Sequence, residues 1–329
     1  MAERIPVFIE GQDDLADTLA VSMVSICYNT KSAIDFYILD CGLNNLNKRL
    51  LYKSIEQYKN ASIEFISIDL KRFSHLKGYT KNNYVDCYSR LLIPELKPDI
   101  DKAIYLDNDI MALGDIALLW QEDLDGFELA ACADCGYTLS IQKRCMRFGI
   151  PQNQIYCNAG VLIIDCAKWR QNDVSNKLLR LAEIIKNDIS LICEDLLNLY
   201  YKDNNYKLLD LRYNIHQLEE STFHACALQI TADYVNKEWR NAVIQHFSPL
   251  KPWKDRNIKN GGEFWFFAQM TPFGKGLEIK LLNSLFTPRL QKNQYKLFGI
   301  IPLLSSRQKA KYTHYYLFGI LPVMKKKES

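Results

Sequence analysis

No apolar run in the 329-residue chain approaches the ~20 residues that a membrane-spanning helix needs, so no such helix is expected. The opening MAERIPVFIEGQDD lacks a signal-peptide core and brings acids in early, which points to a cytoplasmic protein. Neither G-x-x-x-x-G-K-[ST] nor G-x-G-x-x-G occurs, which argues against P-loop and dinucleotide-binding chemistry. The ten cysteines are scattered, and the lone C-x-x-C of Cys132 and Cys135 has no second pair and no H-x₃₋₅-H. They read as free, often buried thiols rather than a zinc site. Acid is nearly missing from one end. Residues 288–329 hold nine bases against Glu328, a net +8, which leaves −5 for residues 1–287 within the total of +3. That split points to a polyanionic partner for the tail.

A hydrophobic content of 48% and a charged content of 24% describe a globular protein. Its length suits one large α/β domain with appendages, or two domains. IPVFI (5–9), IDFYILD (34–40) and SIEFISIDL (62–70) read as strands, the last with apolar residues on both faces, as for a strand covered on both sides. Between them, Leu15, Leu19, Met23 and Ile26 recur at helical spacing, and NLNKRLLYKSIEQYKN reads as a second helix. YSRLLIPELKP is a short helix ended by prolines, KAIYLDND, FELAACAD and NAGVLIIDC are strands, and VSNKLLRLAEIIKND and EDLLNLYYKD are helices. Strand and helix alternate over about the first 170 residues, so a mostly parallel sheet flanked by helices is expected. Ligands bind beyond the carboxyl ends of such strands. The rhythm is lost after Asn214, and GGEFWFF marks the expected end of a domain body at 1–265, with an extension at 266–329.

IYLDNDI (104–110) stands at such a strand end. Asp107 and Asp109, two residues apart, point to the same side and repel unless a cation sits between them. Turns also produce D-x-D, so the pair gains weight from a third donor: His246, in VIQHFSPLKPW, follows another apolar run with a lysine close by. Two carboxylates and one imidazole suit Mn²⁺ or Mg²⁺ better than zinc.

Taken together, YSRLLIPELKPDIDKAIYLDNDIMALGDIALLW, CNAGVLIIDCAKWR, EDLLN, RYN and HFSPLKPW resemble glycosyltransferase family 8 over roughly residues 5–255, in the family's order. Members include bacterial lipopolysaccharide galactosyl- and glucosyltransferases and glycogenin. The resemblance implies a GT-A nucleotide-diphospho-sugar transferase fold, an α/β architecture with a mostly parallel mixed sheet. It also implies a UDP-hexose donor, Mn²⁺ and transfer with retention of configuration. By matching position it makes Asp107, Asp109 and His246 metal ligands. Asn108 would face the ribose, Arg90 the sugar and diphosphate, and Lys251 the diphosphate. Asp134, Asn158 and the Ala159–Gly160 backbone would line the sugar pocket. Departing UDP is a polyanion, which such positive charge would stabilise.

Three stretches depart from the family pattern. FIEGQDD places Glu10 and Gln12 where an apolar-small-x-Asp form is usual, and Asp13 would supply the nucleotide contact by a one-residue shift. CEDLLN replaces D-Q-x-L-L-N, with Cys193 at the Asp position and Glu194 at the Gln position, beneath the reacting sugar. Glu194 there could attack the anomeric carbon or stabilise developing charge. HFSPLKPW is shorter than usual and lacks a Gly.

The leading expectation is a retaining, metal-dependent hexosyltransferase of bacterial lipopolysaccharide or surface polysaccharide synthesis. The alternatives are a sugar-nucleotide pyrophosphorylase and a catalytically degenerate, membrane-associated nucleotide-sugar-binding protein. In the tail, YKLFGIIPLL (295–304) returns as YYLFGILPVM (315–324), each flanked by lysines. Aromatic and apolar groups beside bases fit the headgroup region of an anionic membrane. The expected partners are therefore a UDP-sugar, a glycan or lipid-linked glycan acceptor and, through 288–329, the inner face of the plasma membrane; no nucleic acid is expected.

Overall fold

Seven strands form the central sheet of the computed structural model. The structure describes the chain apart from residues 1–3, 79–84, 135–137, 152, 218–231, 256, 287–291, 298–300, 310–311, 318–320 and 328–329. The strands of the body are β1 (Ile5–Gly11), β2 (Ile34–Asp40), β3 (Ala61–Ser67), β4 (Lys102–Leu106), β5 (Ile110–Ala112), β6 (Leu129–Ala133), β7 (Cys157–Asp165), β8 (Lys207–Leu209), β9 (Ile215–His216) and β10 (Ile244–His246). The main sheet runs β3-β2-β1-β4-β7-β6-β8. All its pairings are parallel except those of β7, which runs antiparallel to β4 and β6. β1 and β4 are buried almost throughout, and their apolar runs follow from that central placement. β3 departs from expectation: it is an edge strand, its residues are exposed or partly buried, and among the described residues only β2 pairs with it.

The chain leaves β4 through Asp107–Asp109 and enters a second, three-stranded sheet of order β5-β10-β9. β5 pairs antiparallel with β10, setting Ile110 opposite His246, and β9 pairs parallel with β10, setting His216 opposite His246. This small sheet fixes the functional residues, because it brings position 246 to the end of the central strand. Helices Ala16–Asn29, Val174–Ile184 and Ile192–Tyr200 bury apolar faces in the body. The YSRLLIPELKP segment forms a 3₁₀ turn, Asp86–Leu92, that runs into a short α-helix, Ile93–Leu96, with proline in its first turn.

The chain divides into two compact units, residues 1–252 with 257–277, and residues 253–256 with 278–329. In the second unit β11 (Lys292–Leu297), β12 (Ile301–Lys309), β13 (Tyr312–Leu317) and β14 (Leu321–Lys327) form an antiparallel sheet in sequence order. Among the described residues no helix is long and apolar enough to cross a membrane.

Candidate active site

One oxygen from each of Asp107 and Asp109 and one ring nitrogen of His246 lie within 4.8 Å of one another. His246 Nε2 is 3.1 Å from Asp109 Oδ1 and 3.7 Å from Asp107 Oδ2. The other nitrogen, Nδ1, is 3.0 Å from Asn214 Oδ1. An amide oxygen only accepts, so Nδ1 carries the hydrogen, and Nε2 is the nitrogen aimed at the carboxylates. A cation placed between Nε2 and the two carboxylates would take all three as ligands. The donor set, the clustering and the Asn214 amide that orients the His246 ring fit a hard divalent ion such as Mn²⁺ or Mg²⁺.

The backbone locks this arrangement. Asp107 N–H donates to Gly160 O (2.8 Å), and Phe247 N–H donates to Asp109 O (2.9 Å). A Cβ at Gly160 would lie 2.4 Å from His246 Cε1 and 2.9 Å from Asp107 Oδ2, so only glycine leaves room. Lys251 forms an ion pair with Asp109. Burial opposes ionisation of Asp109, but Lys251 and His246 outweigh it and hold the carboxyl far below the usual range.

Arg90 is buried against the same cluster. Its Nη1 reaches Asp107 Oδ1 (3.1 Å) and donates to Ala159 O (2.8 Å), and its guanidinium lies 4.4 Å from the centre of the Tyr105 ring. Tyr105 O–H also donates to Asp107 Oδ1 (2.7 Å). Asn108 donates to Glu10 O (3.3 Å) at the end of β1.

A chain of hydrogen bonds joins this cluster to a second one. Asn214 Nδ2 donates to Asn158 Oδ1 (2.8 Å), as does Gly160 N–H (2.9 Å), and Asn158 Nδ2 donates to Glu194 Oε2 (3.1 Å). The Asp134 carboxyl lies against that of Glu194. Burial first, and then Asp134, push the Glu194 carboxyl well above its ordinary range. Glu194 Oε1 is buried without a hydrogen-bond donor. Arg144 lies 4.0 Å from Asp134 and 3.5 Å from Asp195. Asp195 is committed to structure, accepting from Ser190 N–H, Leu191 N–H and Tyr156 O–H.

Of the residues singled out by sequence, Asp107, Asp109, His246, Lys251, Arg90, Asn108, Asn158, Ala159, Gly160, Asp134 and Glu194 belong to these linked clusters. Asp13 has different partners. It is exposed and accepts from Asn44 and Asn47 at the start of helix Asn45–Ile55, and the Asn44 N–H first of all lowers its pKa. Cys193 faces the core, its thiol donating to Cys87 O (3.0 Å). Cys135 of the C-x-x-C lies outside the described residues.

Sequence reasoning missed four residues. Asn214 was visible only as part of RYN. Arg144 and His216 carry no spacing signal. Glu10 was noted only as a departure, yet it is buried between Asp86 and Arg90, and burial and then Asp86 push its carboxyl up to about 8. His216, whose ring lies 4.7 Å from that of His246, is hydrogen-bonded through Nδ1 to Ser248 O, and its buried Nε2 has no hydrogen-bond partner among the described residues. Burial and then His246 lower its pKa to about 4, so it is neutral at pH ~7.

A mixed α/β sheet with a candidate Asp-Asp-His cation site at the carboxyl end of a central strand is consistent with a glycosyltransferase of the GT-A class. The model for "Glycosyl transferase family 8" matches residues 6–257, and the chain belongs to that family. Glycosyltransferase GlyF of Streptococcus pneumoniae is 28% identical over 248 residues, 75% of this chain and 57% of GlyF. General stress protein A of Bacillus subtilis is 26% identical over 270 residues, 79% of this chain and 91% of that protein. The chain thus spans under two-thirds of GlyF and most of the Bacillus protein. Among solved structures, galactosyltransferase LgtC in complex with donor and acceptor sugar analogs superposes with a TM-score of 0.69 at 24% identity, covering 82% of this chain and 96% of LgtC. The apo bifunctional glycosyltransferase WbbM gives 0.72 at 18% identity, covering 86% of this chain and 52% of WbbM.

Proposed function

We propose that this glycosyltransferase moves a hexose from a UDP-hexose to a glycan acceptor, with retention of anomeric configuration, in the synthesis of a bacterial lipopolysaccharide or other surface polysaccharide. The observation that carries the reading is the Asp107–Asp109–His246 cluster, flanked by Lys251 and Arg90 and tied through Asn214 and Asn158 to Glu194 and Asp134. Asp107, Asp109 and His246 would hold Mn²⁺ or Mg²⁺, which supplies positive charge against a departing diphosphate. Lys251 and Arg90 stand beside the ligands and add fixed charge of the same sign. Asn158 and the Gly160 backbone present polar groups between the two clusters, where a hexose would be oriented. Asp13, engaged with Asn44 and Asn47, would reach a uracil ring only by giving up those bonds.

Glu194 fits the family's glutamine position as a neutral acid. A protonated carboxyl has the size and charge of an amide, and burial beside Asp134 favours that form. In this reading Glu194 hydrogen-bonds the sugar without attacking it. The strongly basic tail would hold the enzyme at an anionic bilayer, close to a lipid-linked acceptor.

The test is incubation with a panel of UDP-sugars and Mn²⁺, with UDP release and the anomeric proton coupling of the product as readouts. One preferred UDP-hexose and a retained anomer are expected. A requirement for UTP and a sugar phosphate would instead indicate a pyrophosphorylase, and binding without release a degenerate protein.

A further inference from the structure

The repeated tail sequence is a repeated piece of backbone. In β11–β12, Tyr295 pairs with Leu304 and the register then shifts, so that Lys296 meets Pro302 and Leu297 meets Ile301. In β13–β14, Tyr315 pairs with Met324, and after the same shift Tyr316 meets Pro322 and Leu317 meets Leu321. The two copies are two hairpins with one register and one irregularity, joined through β12–β13.

That register sorts the bases. Lys292 pairs with Arg307, Arg307 with His314 and His314 with Lys325, which makes one row across all four strands. The row two positions on holds Lys309, Tyr312 and Lys327. Paired residues share a face and alternate residues return to it. In this regular part of the sheet, Lys292, Arg307, Lys309, Lys325 and Lys327 therefore occupy one face with His314. Lys326 occupies the other, in a row with Gln308 and Thr313. The strand spacing of about 4.8 Å makes the first row roughly 14 Å long.

Like charges set directly opposite one another weaken a sheet. Lysines on the edge strands β11 and β14 could serve only to block edge-to-edge pairing. Arg307 lies in an interior strand, where no edge needs blocking, and it sits between Lys292 and His314 in the row. A surface of anions laid against this face would turn the repulsion into attraction.

We infer that the face carrying Lys292, Arg307, Lys309, Lys325 and Lys327 is the docking surface of the tail, and that it seats on the phosphate layer of an anionic lipid bilayer. The inference rests on the membrane reading above and adds a direction to it: position in the sheet, rather than net charge, determines binding.

The experiment compares full-length Arg307→Glu, Lys325→Glu and Lys326→Glu by sedimentation with vesicles of phosphatidylglycerol and phosphatidylcholine, with pure phosphatidylcholine as control. All three substitutions change net charge equally. Retained glycosyltransferase activity and an unchanged circular dichroism spectrum exclude misfolded variants. Arg307→Glu and Lys325→Glu should each weaken vesicle affinity about tenfold or more, and Lys326→Glu less than about threefold. Equal losses in all three variants would overturn the face assignment and leave the membrane reading standing. No loss in any variant, with wild type bound, would overturn the face assignment as well. Wild-type protein that ignores anionic vesicles would overturn the membrane reading, and this inference with it.

Discussion

Removing any one of Asp107, Asp109 and His246 leaves the other two too few to hold a cation against water. Each alanine variant should lose about a thousandfold or more of kcat, corresponding to several kcal/mol of leaving-group stabilisation. Calorimetric titration with Mn²⁺ should show the matching loss of binding; full wild-type activity in excess chelator would contradict the assignment. Asn214 touches no ligand of the diphosphate and acts through His246, whose Nδ1 it accepts from. Asn214→Ala should shift the Mn²⁺ activation curve about 10–100-fold to higher concentration, with kcat largely recovered at saturation. A variant whose Mn²⁺ dependence is unchanged would show that the amide is only structural.

Glu194 makes the site sensitive to pH. Its folded-state pKa is raised by burial and then by Asp134. The stability it contributes is complete in acid and is lost as pH rises through the raised value. Glu194→Gln keeps the shape and removes the titration. The variant should retain turnover, and its melting temperature should gain on wild type as pH rises from the ordinary carboxylate range through the raised value. Its kcat should also lack the decline expected of wild type as pH rises through that raised value and Glu194 ionises. Collapse of activity in Glu194→Gln, with a glycosyl-enzyme adduct trapped on wild type, would make Glu194 a carboxylate nucleophile instead.

At the scale of elements, β7 and the small β5-β10-β9 sheet make the site. Gly160→Ala would force a methyl into the contact between His246 and Asp107. It should lower stability by about 1–3 kcal/mol in denaturant titration and weaken Mn²⁺ activation together. An effect on stability alone would mean that the ligands move aside without penalty. The alternation of apolar strands and helices was enough to place D-x-D at the end of a central strand, because β1 and β4 bury both faces and show it in their composition. β3 misled for the opposite reason: Ile and Phe on both faces of an edge strand look the same in sequence as a covered strand. The pairing of β10 with β5 was not legible, since three residues carry no periodicity, and yet that pairing brings His246 to the aspartates. Asn214, Arg144 and His216 became visible only when distant segments met in the folded body. Cys193, at the family's Asp position, turns its thiol to the core and bonds to Cys87 O. The tail repeat was plain in sequence, but its hairpin register was not, because alternation breaks at each bulge.

For the whole molecule the distribution of charge matters more than its sum. Residues 288–329 carry +8 and the remainder −5, within a total of +3. A uniformly weak positive charge would give little attraction to an anionic surface. This division gives the tail roughly 1 kcal/mol per base near such a surface while the body is mildly repelled. Deleting 288–329 removes strands β11–β14 and leaves the Asp107–Asp109–His246 cluster, whose partners named above come from residues 10–251 among the described residues. The truncated enzyme should retain turnover of a soluble glycan acceptor within about twofold and lose sedimentation with anionic vesicles. Its rate on an acceptor embedded in those vesicles should fall much further, since tethering raises the effective acceptor concentration without a new contact at the site. Raising salt should reproduce that selective loss in the intact protein, because screening shortens the reach of the tail's charges and leaves the buried site unaffected. Truncated protein that still sediments, or that loses soluble-acceptor turnover in parallel, would assign the tail a role within the catalytic unit rather than at a membrane.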